Sequence, residues 1–193
     1  VNGSIVRSLD IYGTARDSGV TVPGNILAAG SGDGVWVAVR RLGPPFNGWW
    51  DAGAADFTVS FSSTPAVFAG SVAGSTQPWS YGIPTGKLTS GTSYYFTAEI
   101  RDNASPANKQ AFYITGATVT FDNSAPTASI AAPLAGRYYS ALSVLSGASN
   151  DNIAVSSIAL NIQKVSGNCY NPSDNLFGAA CPNWFKAQGI KIK

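Results

Sequence analysis

The sequence predicts an all-β chain built as two β-sandwiches in tandem. Three observations carry the prediction. Short runs place apolar residues at every second position, Gly- and Pro-rich turns separate them, and an internal repeat aligns the start of the chain with its last third. No segment sustains a helical period.

The elements follow in order. The run Leu9 to Ala15 closes on Gly13-Thr14-Ala15-Arg16-Asp17, where a strand ends and an Asp bonds loop amides. Gly19 to Gly34, rich in Gly, Ala and Ser, reads as an inserted loop. Val35, Val37 and Val39 then alternate with Trp36, Ala38 and Arg40, the period of a strand with one buried face. The turn signal Asn47-Gly48 leads into a hairpin with Trp50 on one arm and Phe57 on the other. Trp79-Ser80-Tyr81 starts the next strand, and Leu88-x-x-Gly91-x-x-Tyr94 leads into an aromatic and β-branched run, Tyr94 to Ile100. Phe112-Tyr113-Ile114-Thr115 and Ala117 to Phe121 also read as strands. A fresh first strand begins at Thr127 to Ile130, and Ile158, Leu160 and Ile162 alternate with Ala159, Asn161 and Gln163. The final Gly189-Ile190-Lys191-Ile192-Lys193 alternates like an edge strand.

The repeat has three parts. Leu9 to Asp17 aligns with Ser143 to Asp151, Gly13 falling on Gly147 and Asp17 on Asp151. Val35, Val37 and Val39 align with Ile158, Leu160 and Ile162. Trp50 with Phe57 aligns with Tyr170 and Phe177 across the same spacing. Each match alone is weak; three in one order, each with the same alternation, describe one pattern used twice. Strands at this spacing with fixed aromatic positions predict a Greek-key sandwich.

The arrangement resembles the tandem immunoglobulin-like domains, of the bacterial Big and cadherin-like kind, found in large surface and extracellular proteins. The likeness is carried by the strand-Gly-x-Ala-x-Asp start, by Trp79-x-Tyr81 with Gly91-x-x-Tyr94 and Asp102-Asn103-Ala104, and by the linker Phe121-Asp122-Asn123-Ser124-Ala125-Pro126. The resemblance implies two immunoglobulin-like Greek-key sandwiches with adhesive, stalk, spacer or filament-building roles. The domains are expected at 1–122 and 127–193, joined by a linker at 123–126. The second is expected to be incomplete: the first copy runs 65 residues beyond Phe57 to Asp122, the second only 16 beyond Phe177 to Lys193. Either the chain is an excerpt of a longer protein, or a neighbouring subunit supplies strands by β-augmentation, or the second sandwich is a smaller one closed by a disulfide.

Composition removes several functions. Of the 193 residues, 12 are Lys or Arg and 10 are Asp or Glu, and the basic ones are scattered, which excludes a phosphate-binding patch and hence nucleic acid as a main partner. His is absent and Glu99 is the only Glu, so His-based triads, His metal sites and Glu–Glu acid–base pairs are excluded. No Gly-x-Ser-x-Gly elbow occurs, and the expectation is a protein that is not an enzyme. No Met occurs, so a mature or excised piece is expected. There is no apolar run of the length a membrane span needs. Cys169 and Cys181 are the only cysteines, too few for a zinc site; the simplest reading is a disulfide formed in an oxidising compartment, the alternative two buried thiols.

Two kinds of site are expected from residue chemistry. Asp102-Asn103, Asp122-Asn123 and Asp151-Asn152 fall at predicted strand ends or at the junction, where clustered oxygens would suit calcium; Asp and Asn in the same places also simply form turns. Trp49 and Trp50 are adjacent and cannot both face inward on one strand, so one is expected to be exposed for a glycan or subunit contact. The functional expectation is an exported structural or adhesive protein whose partners are copies of itself or adjacent domains of a longer chain, with surface glycans as further candidates. The alternative is a carbohydrate-binding sandwich module.

Overall fold

The computed structural model describes residues 3–16, 34–68, 76–102, 106 and 108–187. The chain divides into two compact units, Val1–Asn123 and Ser124–Lys193. Both are built from strands, with one 3-10 turn at Thr85–Lys87 and no α-helix among the described residues. Most of the predicted insertion (all but Gly34) and the terminal Gly189–Lys193 lie outside the described residues.

The first unit contains β1 (Ser4–Val6), β2 (Leu9–Ala15), β3 (Gly34–Leu42), β4 (Gly48–Asp51), β5 (Asp56–Thr58), β6 (Thr64–Pro65), β7 (Val67–Phe68), β8 (Gln77–Ile83), β9 (Thr92–Arg101), β10 (Lys109–Gln110) and β11 (Gly116–Phe121). The larger sheet runs β1-β11-β9-β3-β4-β5, with β10 on β9 and β6 on β3; the smaller runs β2-β8-β7. The first strand lies parallel to the last, Ser4 to Val6 beside Val119 to Phe121, while the other pairings within the unit are antiparallel.

One apolar core joins the two sheets. Leu9, Ile11 and Ile83 come from the smaller sheet, and Val35, Val37, Val39, Trp50, Phe57, Tyr94 and Phe121 from the larger. This is the face-to-face packing of a sandwich, and the alternation read from β2 and β3 selects the residues that enter it. Burying each Val contributes roughly 1.5–3 kcal/mol relative to leaving it in water. A polar bond pins the sheets together: the Trp50 Nε1–H donates to Tyr81 Oη at 2.7 Å. Close approach is secured at Gly13, where an added Cβ would stand 2.6 Å from Trp79 Cζ2, so the indole lies directly over the bare backbone of β2.

Tyr94 is fully buried, and its phenol oxygen accepts the Thr89 N–H at 2.8 Å. The segment leading into β9 is thereby tied to the core five residues further along. Tyr94→Phe keeps the ring and removes this bond, so it is expected to lower stability by about 1–2 kcal/mol. Urea unfolding followed by Trp fluorescence measures the change; an unaltered midpoint would show that the bond contributes nothing.

The second unit contains three strand pairs. β12 (Thr127–Ala132) pairs with β13 (Ser146–Asn150), β14 (Ala159–Leu160) with β17 (Phe185–Lys186), and β15 (Cys169–Asn171) with β16 (Leu176–Ala179). The expected Ile158–Ile162 strand shortens to two residues, Ala159–Leu160, paired with Phe185–Lys186, while the Ile162 carbonyl accepts the Tyr170 N–H of β15. The β15–β16 hairpin matches β4–β5 closely. Tyr170 stands opposite Phe177 as Trp50 stands opposite Phe57, with ring centroids 5.5 and 5.4 Å apart. Both turns hold a residue at positive φ just before the second arm, Asn175 at 60° and Ala55 at 49°. Both also fold their loops onto a side-chain oxygen of the first arm, Asn171 Oδ1 accepting the Ser173 N–H and Asp51 Oδ1 the Gly53 N–H.

Cys169 and Cys181 form a disulfide. Cys169 is the one fully buried side chain among the described residues of the second unit, so the bridge occupies the place a core would fill. Closing this loop contributes about 2–3 kcal/mol by chain entropy. Reduction with dithiothreitol is expected to collapse amide-exchange protection across 146–187 while leaving that of the first unit unchanged. Equal protection in both states would remove the bridge from this role.

Candidate functional site

The larger sheet has an inner face against the core and an outer face of a different kind. On β9, Tyr94, Phe96, Ala98 and Ile100 belong to the core side, which places Tyr95, Thr97, Glu99 and Arg101 on the other. Register extends this outer face across the sheet. Trp49 of β4 pairs with Arg40 of β3, Arg40 with Tyr95, and Tyr95 with Thr118 of β11. Along β3, Trp36 stands beside Glu99 and Ala38 beside Thr97.

Loop aromatics cover much of this face. Phe61, between β5 and β6, packs edge-on against Trp49 at 4.8 Å and against Phe112 at 5.4 Å. Tyr113 packs on Trp49 at 6.2 Å and lies parallel to Tyr95, with centroids 6.4 Å apart and planes 7° from each other. Cations complete the layer: the Arg40 guanidinium sits 5.6 Å from the Trp49 ring centre, and that of Arg101 5.4 Å from Trp36. Arg101 Nε–H also donates to Glu99 Oε1, and Lys109 Nζ lies 4.0 Å from Glu99 Oε2. The sole glutamate is thus buried between two cations rather than left as a reactive acid.

The segment Phe112–Thr115 corrects the expectation of a strand: it is a turn between β10 and β11. Tyr113 takes φ of 72°, which no ladder accommodates. Its amide donates to Thr97 Oγ1 at 2.8 Å, and the same hydroxyl donates to the Thr115 carbonyl at 2.7 Å. A threonine on β9 thereby holds the turn against the sheet. The aromatic and β-branched content of 112–115 that reads as a strand is used instead to cover one.

Trp49 and Trp50 correct a second expectation. They do point to opposite faces, but both are buried, at 9% and 3% exposure. Trp50 enters the core between the sheets, and Trp49 lies beneath Phe61, Tyr113 and Arg40. Alternation describes the direction of each ring correctly; it carries no information on loops that fold over the far side. Neither indole offers an exposed face for a glycan. The exposed rings over this face are Tyr113 (59%) and Phe61 (49%). No local signal marks Tyr113, since positive φ favours Gly, Asn and Asp over a bulky ring.

The aspartates of the Asp-Asn pairs accept hydrogen bonds from protein groups, locally at Asp102 and Asp151 and across to the loop before β9 at Asp122. Asp102 accepts the Asn108 backbone N–H at 2.8 Å and its side-chain amide at 2.7 Å, closing the turn between β9 and β10. Asp122 accepts the Ser90 hydroxyl at 2.9 Å, and Ser90 Oγ accepts the Asn123 N–H at 3.1 Å. Asp151 accepts the Ile153 and Ala154 amides, with Asn152 exposed beside it; Asn103 lies outside the described residues. Among the described residues, no three His, Cys, Asp or Glu side chains gather as a metal site would require. Compared with known proteins, the chain matches no family model, no curated protein and no solved structure.

As a loop-closing acceptor, Asp102 is expected to cost about 1 kcal/mol when replaced by Ala. Millimolar calcium is expected to leave the melting temperature of the parent chain unchanged. A calcium-dependent rise that Asp102→Ala, Asp122→Ala or Asp151→Ala abolishes would make these carboxylates ligands instead.

Proposed function

We propose that this chain is a structural, non-catalytic part of an exported surface, stalk or filament protein, built from tandem immunoglobulin-like sandwiches. Its partners on this reading are copies of itself or adjacent domains of the same kind. The carrying observation is the hairpin that recurs in both units with the same register at the two pairs nearest the turn, ring centroids 5.4 and 5.5 Å apart and one positive-φ position, 120 residues apart at Ala55 and Asn175. Recurrence of a module supports a geometric role, in which units set spacing and rigidity. The Tyr94 bond to the Thr89 amide resembles the tyrosine corner of such sandwiches and supports the reading.

Export is supported by the disulfide, which forms and persists in oxidising compartments. No helix among the described residues is long and apolar enough to cross a membrane. Self-packing is supported by the second unit, where Ile130, Leu142, Leu176 and Trp184 are all exposed. Short strand pairs with uncovered apolar side chains favour pairing with another chain or domain. Low charge suits such contacts, because like copies repel little. The carbohydrate-binding alternative loses its Trp49 and Trp50 contacts to burial.

Sedimentation velocity of the intact oxidised chain over a wide concentration range tests the reading, with negative-stain electron microscopy of the associated fraction. The expected result is concentration-dependent association into ordered assemblies, weakened by Leu176→Lys or Trp184→Ser, both exposed. A monomer at every concentration would overturn the self-association.

A further inference from the structure

We propose that the open side of β2 takes residues Gly189–Lys193 of a second copy as an added strand, with a lysine of that segment beside Asp10. The inference rests on the self-association proposed above and deepens it by naming the two surfaces that meet.

Strand β2 is a long, unguarded edge. It has β8 as its one partner, and its seven residues pair there without a register break. Its other side carries no strand among the described residues. The other edges of the first unit are shorter, with three residues in β1 and β5 and two in β7. In the second unit β12 has six, but its ladder slips between Ile130 and Ala132. Proline, lysine and bulges are the usual guards of an open edge, and β2 has none of them. Free N–H and C=O groups along such a side accept an extended segment through main-chain hydrogen bonds.

The two partners share one pattern. On β2, Leu9 and Ile11 face the core, while Asp10, Tyr12 and Thr14 face solvent. The segment Gly189-Ile190-Lys191-Ile192-Lys193 alternates with the same period. Residues opposite each other on adjacent strands share a face. Setting Lys191 or Lys193 opposite Asp10 therefore sets Ile190 and Ile192 on the face of Leu9 and Ile11, whichever way the added strand runs. A slip of one residue would turn both isoleucines to water and both lysines to the core side, so one phase is selected.

Charge names the partner. Asp10 is exposed, and it is the one described carboxylate with no hydrogen bond or ion pair. The others, from Asp51 to Asp174, each accept a hydrogen bond or pair with a cation. An uncommitted acid on an edge strand repels acidic segments and favours basic ones. Tyr12, on the same face and 79% exposed, offers its ring to the second lysine. β12 and β13 carry no charge and offer a lysine no such partner. Each copy holds one such edge and one such segment, so the contact is head-to-tail and joins copies into a ring or a filament.

Sedimentation velocity and amide hydrogen exchange of four full-length oxidised chains test this contact. The chains are the parent, Asp10→Lys, Lys191→Asp with Lys193→Asp, and all three substitutions together. Asp10→Lys and the double lysine variant are each expected to weaken association about three- to tenfold, as turning an exposed ion pair into a like-charge pair does. The triple variant is expected to recover association, because its charges are exchanged rather than lost. Amides within Leu9–Ala15 are expected to gain protection when the parent associates, a mark of main-chain pairing that side-chain attraction alone does not leave. A parent that associates with unaltered exchange across β2, or equally well after either charge change, would overturn the strand contact and leave self-association standing. A parent that stays monomeric would overturn both. Protection of β2 in the dilute monomer that the double lysine variant loses would place the segment on its own chain and overturn the second copy as its acceptor.

Discussion

Strand β3 carries large side chains on both faces, and such a strand holds its place in water only when both faces are covered. Val35, Val37 and Val39 on one side require a second sheet, and β2, β8 and β7 supply it. Trp36 and Arg40 on the other side, with the neighbouring Trp49, require a cover that no sheet provides. Loops supply that one: Phe61 from beyond β5, and Phe112 with Tyr113 from the turn before β11. The two covers differ physically. The inner is aliphatic and continuous, fixed by the Trp50–Tyr81 bond. The outer is aromatic and patchy, fixed by edge-on rings, cations over indoles and one threonine hydroxyl.

This contrast explains what the sequence makes legible. Period-2 alternation locates β2, β3, β9 and β11, because each turns one face to the core between the sheets, and side-chain direction alone then identifies it. The paired aromatics at Trp50 and Phe57, and at Tyr170 and Phe177, locate the two hairpins for the same reason. The disulfide was legible from cysteine arithmetic. What fails is the far side. One of Trp49 and Trp50 is read as exposed because the cover of Trp49 is distant in sequence: Tyr113 is brought over it by the β9 hydroxyl of Thr97. Phe112–Thr115 is read as a strand because residue type records affinity for an apolar surface, not whether the backbone joins a ladder.

The second unit shows the same physics with less material. Its ladders are short, and its alternating aliphatic residues Ile158, Leu160 and Ile162 are half-buried rather than enclosed. A bridge between Cys169 and Cys181 joins segments that no large core holds. Its hairpin keeps the local geometry seen in the first unit, because register and turn are set by the hairpin's own residues. Local structure and global burial are therefore separable in this chain, and the exposed apolar side chains are the part that association would cover.

Two-sided covering of the larger sheet makes a direct demand on the tryptophans. Hydroxyl-radical footprinting of the native oxidised chain, read by mass spectrometry at single residues, reports solvent access to each ring. Modification is expected at Trp184, which is 64% exposed, and at Tyr113, with Trp49 and Trp50 protected until the chain is unfolded. Labelling of Trp49 in the native chain to the level of Trp184 would show that the outer face is open, and the account of this sheet would be wrong.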